Sequence, residues 1–118
     1  MEKLFDSELK VMEPLWEEGP LSAGQLAKLL ADRVGWNRNT TYTVIKKLVD
    51  KGAVTRSDPG FVCTAALSRE EVRRTEAEGL VDKLFGGSPS LFLSAFVSGK
   101  KLSDEEVAHL RELVEKLK

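Results

Sequence analysis

The sequence contains only one cysteine and one histidine among its 118 residues. With Cys63 alone, the chain can form no internal disulfide and no zinc site built from several cysteines, which favours a reducing compartment. Most schemes of acid–base catalysis use histidine, and the chain shows no Ser/His/Asp set, phosphate-binding glycine loop or histidine cluster. The sequence therefore predicts a protein that is not an enzyme and that uses neither a metal nor a cofactor.

Long hydrophobic runs are absent as well. No apolar segment approaches the roughly 18 residues of a membrane-spanning helix, and the opening segment MEKLFDSELK lacks the apolar stretch of a signal peptide. The composition, 42% hydrophobic and 31% charged, is typical of a globular chain with room for one small domain and an appendage. We therefore expect a cytoplasmic protein without a membrane anchor.

Positive charge is concentrated in one short part of the chain. Residues 33–56 carry six basic residues against one aspartate, a net charge of +5, whereas the whole chain has a net charge of -1. The basic residues are Arg33, Arg38, Lys46, Lys47, Lys51 and Arg56. This concentration indicates a local anionic partner, although a solvated basic face would give the same pattern.

Capping boxes mark several helix starts. In this motif a serine hydroxyl and a glutamine or glutamate side chain three residues later pair with each other's backbone amides. The matching pairs are Ser22 with Gln25, Ser68 with Glu71, and Ser103 with Glu106. With the apolar periodicity, they predict helices over about 7–18, 23–33, 38–50, 69–85 and 90–98, and one from about 104. Between the third and fourth helices, AVTR and FVCTAA flank the turn residues SDPG, which predicts a short antiparallel hairpin.

Three helices followed by a hairpin are the order of a winged helix-turn-helix. We therefore assign residues 1–67 to such a domain and residues 68–118 to a three-helix module, in a mainly α fold with a small β-hairpin. The last three helices carry more apolar surface than they can bury alone, and a second copy of the chain would cover it. The residues predicted for dimerisation are Leu80, Leu84, Phe85, Leu91, Phe92, Phe96, Val107, Leu110 and Val114.

The third predicted helix separates its residues into two faces at about 100° per residue. The predicted buried stripe consists of Thr41, Val44, Ile45 and Leu48. The opposite face consists of Asn39, Thr40, Thr43, Lys46 and Lys47, flanked by Arg38 and Tyr42. Asparagine can pair with adenine and threonine can contact the thymine methyl, so this face suits entry into the major groove of DNA. Arg56 in the hairpin would reach an adjacent phosphate.

Three segments of the chain are similar to those of one known family. They are LFDSELKVMEPLWEEGPLSAGQLAKLL, WNRNTTYTVIKKLVDKGAVTR and the tail LSDEEVAHLRELV. Together with the spacing W-x-x-x-T-x-x-T-x-x-x-(K/R)-L-x-x-K-G-A, they resemble the penicillinase repressor family of BlaI/MecI type along essentially the whole chain. The resemblance implies a homodimeric winged-helix repressor of a two-fold-symmetric DNA operator. Its recognition-helix contacts would fall on Asn39, Thr40, Thr43 and Lys47.

The resemblance also has implications for regulation. Family members that control β-lactam resistance are inactivated by proteolysis before a phenylalanine in the apolar C-terminal helix. The matching bond here joins Ala95 to Phe96, and Ala95 stands where the family usually has asparagine. The resemblance to these members implies a regulatory protease as a further partner. Copper-responsive relatives carry paired Cys-x-Cys motifs that this chain lacks, so the resemblance implies no metal site.

Two other functions remain open from the sequence. In the first, the winged fold is the scaffold of a protein-interaction adaptor whose apolar tail binds a different protein, without salt-dependent DNA binding. In the second, a winged-helix regulator senses a small ligand among Phe85, Leu91, Phe92 and Phe96. A ligand-dependent shift in melting temperature would support that second function.

Overall fold

The fold is that of a computed structural model, which describes residues 3–99 and 101–117. In chain order the elements are α1 (Asp6–Glu18), β1 (Leu21–Ser22), α2 (Ala23–Val34), α3 (Arg38–Asp50), β2 (Val54–Ser57), β3 (Val62–Ala65), α4 (Arg69–Leu84), α5 (Pro89–Ser98) and α6 (Asp104–Glu115). The mainly helical architecture with a small sheet confirms the predicted fold class. The chain divides into two compact units, Met1–Glu76 and Ala77–Lys118.

Side-chain caps set the starts of several helices. The Ser22 hydroxyl accepts a hydrogen bond from the Gln25 amide at 3.1 Å, and the Gln25 side chain accepts one from the Ser22 amide at 2.8 Å. Ser68 and Glu71 form the same reciprocal pair at the start of α4. The side chain of Asn37 caps α3. Each cap satisfies an amide that the helix leaves unpaired, so these boundaries follow from local sequence.

The sheet contains one strand beyond the predicted hairpin. Strands β2 and β3 pair antiparallel as predicted, and β1 pairs with the outer side of β3, with Leu21 opposite Cys63 and Ser22 opposite Val62. The sequence pattern does not indicate β1, because two residues show no alternation and Ser22 is typical of a helix cap. The added strand ties the start of α2 to the hairpin.

The core of the first unit lies among α1, α2, α3 and the hairpin. Its buried apolar residues are Leu4, Val11, Met12, Leu15, Ala23, Leu26, Leu30, Val44, Ile45, Leu48, Ala53, Val54, Cys63 and Val72. Because Val72 lies in α4, this unit extends past the boundary predicted at residue 67 and includes the first half of that helix. The Trp16 indole donates to the Leu67 carbonyl at 2.9 Å, and Arg69 bonds Glu13 at 2.7 Å. These contacts anchor the start of α4 on α1.

The second unit leaves much of its apolar surface exposed. No residue of α5 or α6 is buried. Its large exposed apolar side chains are Leu80, Leu84, Leu91, Leu93, Phe96, Leu113, Val114 and Leu117. The half-buried members of the predicted dimerisation set are Phe85, Phe92, Val107 and Leu110. Such a surface is suited to a partner, and its role in dimerisation stays a prediction.

Within residues 3–99 and 101–117, no single helix is long and apolar enough to cross a membrane. Among the helices that the structure describes, only α4 and α5 taken together reach the required length and hydropathy, and they are bent by 91° at the break between them. The same residues contain no group of three or more histidine, cysteine, aspartate or glutamate side chains placed to hold a metal ion.

Candidate nucleic-acid interface

Helix α3 turns one face into the core and the other towards solvent. The buried residues are Thr41, Val44, Ile45 and Leu48. The opposite face is exposed at Arg38, Asn39, Thr43, Lys46 and Lys47 and half-buried at Thr40 and Tyr42. The separation of faces predicted from the helical wheel is confirmed. The α3 residues predicted to contact DNA therefore lie on one accessible surface, and the contact itself stays a prediction.

The N-terminal half of this surface is organised by local hydrogen bonds. Arg38 Nη2 donates to the Tyr42 hydroxyl at 3.0 Å, and the guanidinium lies 5.2 Å from the centre of the Tyr42 ring. Thr43 Oγ1 donates to the Asn39 carbonyl at 2.9 Å. Because this bond uses the hydroxyl proton, Thr43 offers a partner only acceptor lone pairs and a methyl group. Those two groups suit the amino edge of a base and the methyl group of thymine.

Two of the basic residues between 33 and 56 form ion pairs with acidic residues of α1. Arg33 Nη1 lies 3.1 Å from Glu17 Oε1, and Lys51 Nζ lies 2.6 Å from Oε1 of the buried Glu8. Acidic residues in α1 thus compensate both cations. The surplus of +5 counted from the sequence therefore overstates the positive charge that α3 and the hairpin present to a partner.

Lys46 and Lys47 continue the exposed face of α3 towards its C-terminal half. Neither ammonium group forms an ion pair within the part of the chain that the structure describes. An amine without a local carboxylate is free to neutralise a phosphate, and each phosphate neutralised releases a counterion from DNA. Together with Arg38, these two lysines carry the positive charge of the exposed α3 face.

The hairpin brings Arg56 to the side of α3. The Arg56 guanidinium lies 3.7 Å from the centre of the Phe61 ring, and Phe61 meets the Tyr42 ring edge-on at 5.7 Å. Arg56 Nε also lies 3.2 Å from Asp58 Oδ2. Phe61 therefore links the predicted wing residue to the predicted recognition helix. This role of Phe61 was not predicted from the sequence, although an aromatic residue directly after SDPG was an available signal.

Cys63 lies opposite Arg56 in the hairpin and is fully buried. Burial raises the pKa of the Cys63 thiol above its ordinary value of 9.0, and the charge of Arg56 opposes this with a smaller effect. The thiol is therefore protonated at neutral pH. It contributes packing rather than reactivity to the first unit.

The predicted cleavage bond lies within α5. Ala95 and Phe96 are both exposed, and the Phe96 ring stacks on Phe92 with 6.1 Å between ring centres. The bond is helical here, so a protease that binds extended chain would first have to unwind this part of α5. Cleavage at this position stays a prediction.

Comparison with known proteins identifies the family. A profile described as "Penicillinase repressor" matches residues 4–116. The chain belongs to the penicillinase repressor family. The penicillinase repressor of Bacillus licheniformis is 24% identical over 118 residues, which cover 98% of this chain and 92% of that protein. The methicillin resistance regulatory protein MecI of Staphylococcus aureus strain N315 is 25% identical over 117 residues, covering 97% of this chain and 94% of MecI.

Two solved structures of the penicillinase repressor family are similar to this fold. The solution structure of the DNA-binding domain of the repressor BlaI has a TM-score of 0.54 and 28% identity, covering 60% of this chain and 93% of that domain. The Bacillus licheniformis BlaI monomeric form in complex with the blaP half-operator has a TM-score of 0.53 and 26% identity, covering 59% of this chain and 88% of that one. These similarities confirm the predicted winged-helix fold.

Proposed function

We propose that this chain is a transcriptional repressor that binds DNA with α3 in the major groove. The observation that carries the proposal is the exposed face of α3, where Asn39 and Thr43 are followed by Lys46 and Lys47 opposite a fully buried stripe. Short polar side chains let the helix approach base edges, and the lysines supply electrostatic affinity from the phosphates. Family membership and the BlaI half-operator complex support this function.

The repressor acts as a homodimer on an operator with two-fold symmetry. Support comes from the exposed apolar side chains of the second unit, such as Leu84 and Leu91, which a second copy would cover. In an isologous dimer the same patch is buried on both protomers, and each recognition helix reads one half-site. Half-sites lie about one helical turn, or a small multiple of it, apart.

Fluorescence anisotropy with a labelled DNA duplex tests the proposal. We expect the logarithm of the binding constant to fall linearly with the logarithm of the salt concentration, as counterions are released. Lys47→Ala should weaken binding to all duplexes alike and flatten that slope by about one unit per protomer. The matched control is Lys83→Ala, which removes an exposed lysine of α4 and should leave the slope unchanged.

The same titration separates the repressor from a protein-interaction adaptor. An adaptor would show no salt-dependent affinity for duplex DNA, and light scattering would show a heteromeric complex in place of a self-dimer. If Lys47→Ala leaves the salt slope unchanged while the wild type binds DNA as expected, the protein binds DNA through a surface other than this face of α3.

A further inference from the structure

A groove lies between α3 and the hairpin, with a volume of about 420 Å³. Its lining residues are Tyr42, Thr43, Lys46, Val49, Arg56 and Phe61. Successive side chains of a strand point to opposite faces, so Arg56 shares the face of Val54, which is buried in the core. This alternation explains why Arg56 lies at the groove beside α3 rather than on the outer face of the hairpin.

The groove combines an apolar floor with a cationic rim. The ring of Phe61 contacts both Arg56 and Tyr42, and the Phe61 carbonyl accepts a hydrogen bond from the Ala23 amide at 2.9 Å. That bond fixes the backbone beneath the ring. The charged groups at the rim belong to Lys46 and Arg56. A chain of phosphates joined by apolar sugar faces, such as a strand of duplex DNA, complements this arrangement.

Arg56 already forms an ion pair with Asp58, a residue of the hairpin turn. Arg56 Nε lies 3.2 Å from Asp58 Oδ2, and Nη2 lies 3.4 Å from Oδ1, so two N–H groups on one edge of the guanidinium face one carboxylate. A guanidinium bonds phosphate oxygens with the same two-pronged geometry. Both side chains are largely exposed, and ion pairs of that kind are weak because water and salt screen them. A phosphate can therefore replace Asp58 without breaking the fold.

We propose that Asp58 sets the DNA affinity of the repressor by holding Arg56 until a backbone phosphate in this groove replaces the carboxylate. The inference rests on the proposed function and adds an internal competitor to it. When a protomer binds DNA, its Asp58 carboxylate loses Arg56 and lies beside the negatively charged phosphates. The repulsion between them opposes association. In the bound state the phosphate contacts Arg56, and the adjoining sugar lies against the ring of Phe61.

Removing the charge of Asp58 without changing its size tests the inference. Asp58→Asn should bind a duplex about two- to fivefold more tightly per protomer at low salt, because the strength of one exposed ion pair no longer opposes binding. The salt slope should steepen by up to about 0.9 per protomer. Asp32→Asn makes the same charge change at an exposed position of α2 and is the matched control. Its effect should be clearly smaller.

The double variant Arg56→Gln/Asp58→Asn separates local competition from general charge repulsion. In the Arg56→Gln background, Asp58→Asn should raise the DNA affinity by no more than Asp32→Asn raises it in the wild type. An equal gain with and without Arg56 would overturn the inference, since Asp58 would then act only as a negative charge near DNA. Wild-type affinity in Asp58→Asn would overturn it as well.

Phe61→Leu gives a second measurement, and the DNA affinity of this single variant does not depend on the hairpin turn tolerating asparagine. Leucine keeps an apolar side chain but removes the ring face under the guanidinium, so we expect severalfold weaker DNA binding and a smaller effect of Asp58→Asn in this background. Thermal melting checks that each variant folds. Unchanged affinity in Phe61→Leu contradicts the groove as the site of the phosphate. If the wild type itself shows no duplex binding, the proposed function fails first, which is a distinguishable result.

Discussion

The ammonium group of Lys51, at the end of α3, lies 2.6 Å from Oε1 of Glu8 in the first turn of α1. Only 1% of the Glu8 side chain is exposed, against 16% for Lys51. The same Glu8 oxygen accepts a hydrogen bond from the Phe5 amide at 2.8 Å, and Lys51 also donates to the Lys3 carbonyl at 2.8 Å. This pair joins the N-terminal segment, α1 and the end of α3 at one point. It holds the C-terminal end of α3 against the start of α1.

Lys51→Ala is expected to lower the free energy of unfolding by about 3 kcal/mol, because Glu8 would remain buried without its cation. Urea unfolding followed by circular dichroism measures the change. Lys47→Ala, one turn earlier on the exposed face of α3, is the control and should change stability by no more than about 0.5 kcal/mol. A loss below 1 kcal/mol in Lys51→Ala would show that the pair does not hold α3.

Thr43 is expected to contribute to sequence preference and not to the salt dependence of DNA binding. Thr43→Ala should reduce discrimination at one base pair by about tenfold, the lower range for loss of a base contact, while the salt slope stays constant. Thr43→Ser keeps the acceptor oxygen and Thr43→Val keeps the methyl group, so the two show which group reads the base. Competition with duplexes that differ at single positions measures the preference. A changed slope with unchanged preference would place Thr43 at the backbone.

The apolar surface of the second unit predicts how the dimer can be disrupted. Leu84 and Leu91 are 63% and 59% exposed, and Leu84→Glu or Leu91→Glu would bury a charge at a two-fold interface. We expect monomers in sedimentation velocity, intact half-site binding and at least about a hundredfold weaker binding to a full operator. Val34→Glu, at an exposed apolar position of α2, should leave the dimer intact. Dimers in both interface variants would exclude this surface.

Burial of Cys63 predicts slow modification and a definite pH dependence of stability. The raised pKa means that the folded chain holds the thiol proton more tightly than the unfolded chain. The contribution of Cys63 to stability is therefore constant below the ordinary thiol pKa and is lost as pH rises above it. A thiol reagent at pH 8 should label the native chain far more slowly than the chain in urea. Equal rates would contradict burial of Cys63.

Local sequence determined the parts of the fold and site that could be predicted. The caps at Ser22, Asn37 and Ser68 fix helix starts through contacts three residues apart, and the 3.6-residue period of α3 gives its buried and exposed faces. The turn residues SDPG likewise indicate the hairpin. These features depend on neighbouring residues, so one sequence is enough to predict them.

The remaining features depend on contacts between distant residues. Glu8 and Lys51 are 43 positions apart, and nothing near either one shows that they pair, so Lys51 was counted with the surface charge. The strand at Leu21 exists only because β3 lies beside it. Val72 belongs to the first unit because of the helices on which it packs, which the serine cap at the start of α4 does not show.

We propose that the exposed face of α3 and the adjoining hairpin bind DNA. The most direct test is a two-dimensional amide NMR titration of the isotopically labelled chain with a short duplex. We expect the largest shift changes on residues 38–47 and on Arg56, and only small changes in α5 and α6. Changes confined to residues 80–114, or no changes at a salt concentration that permits binding, would contradict the proposal.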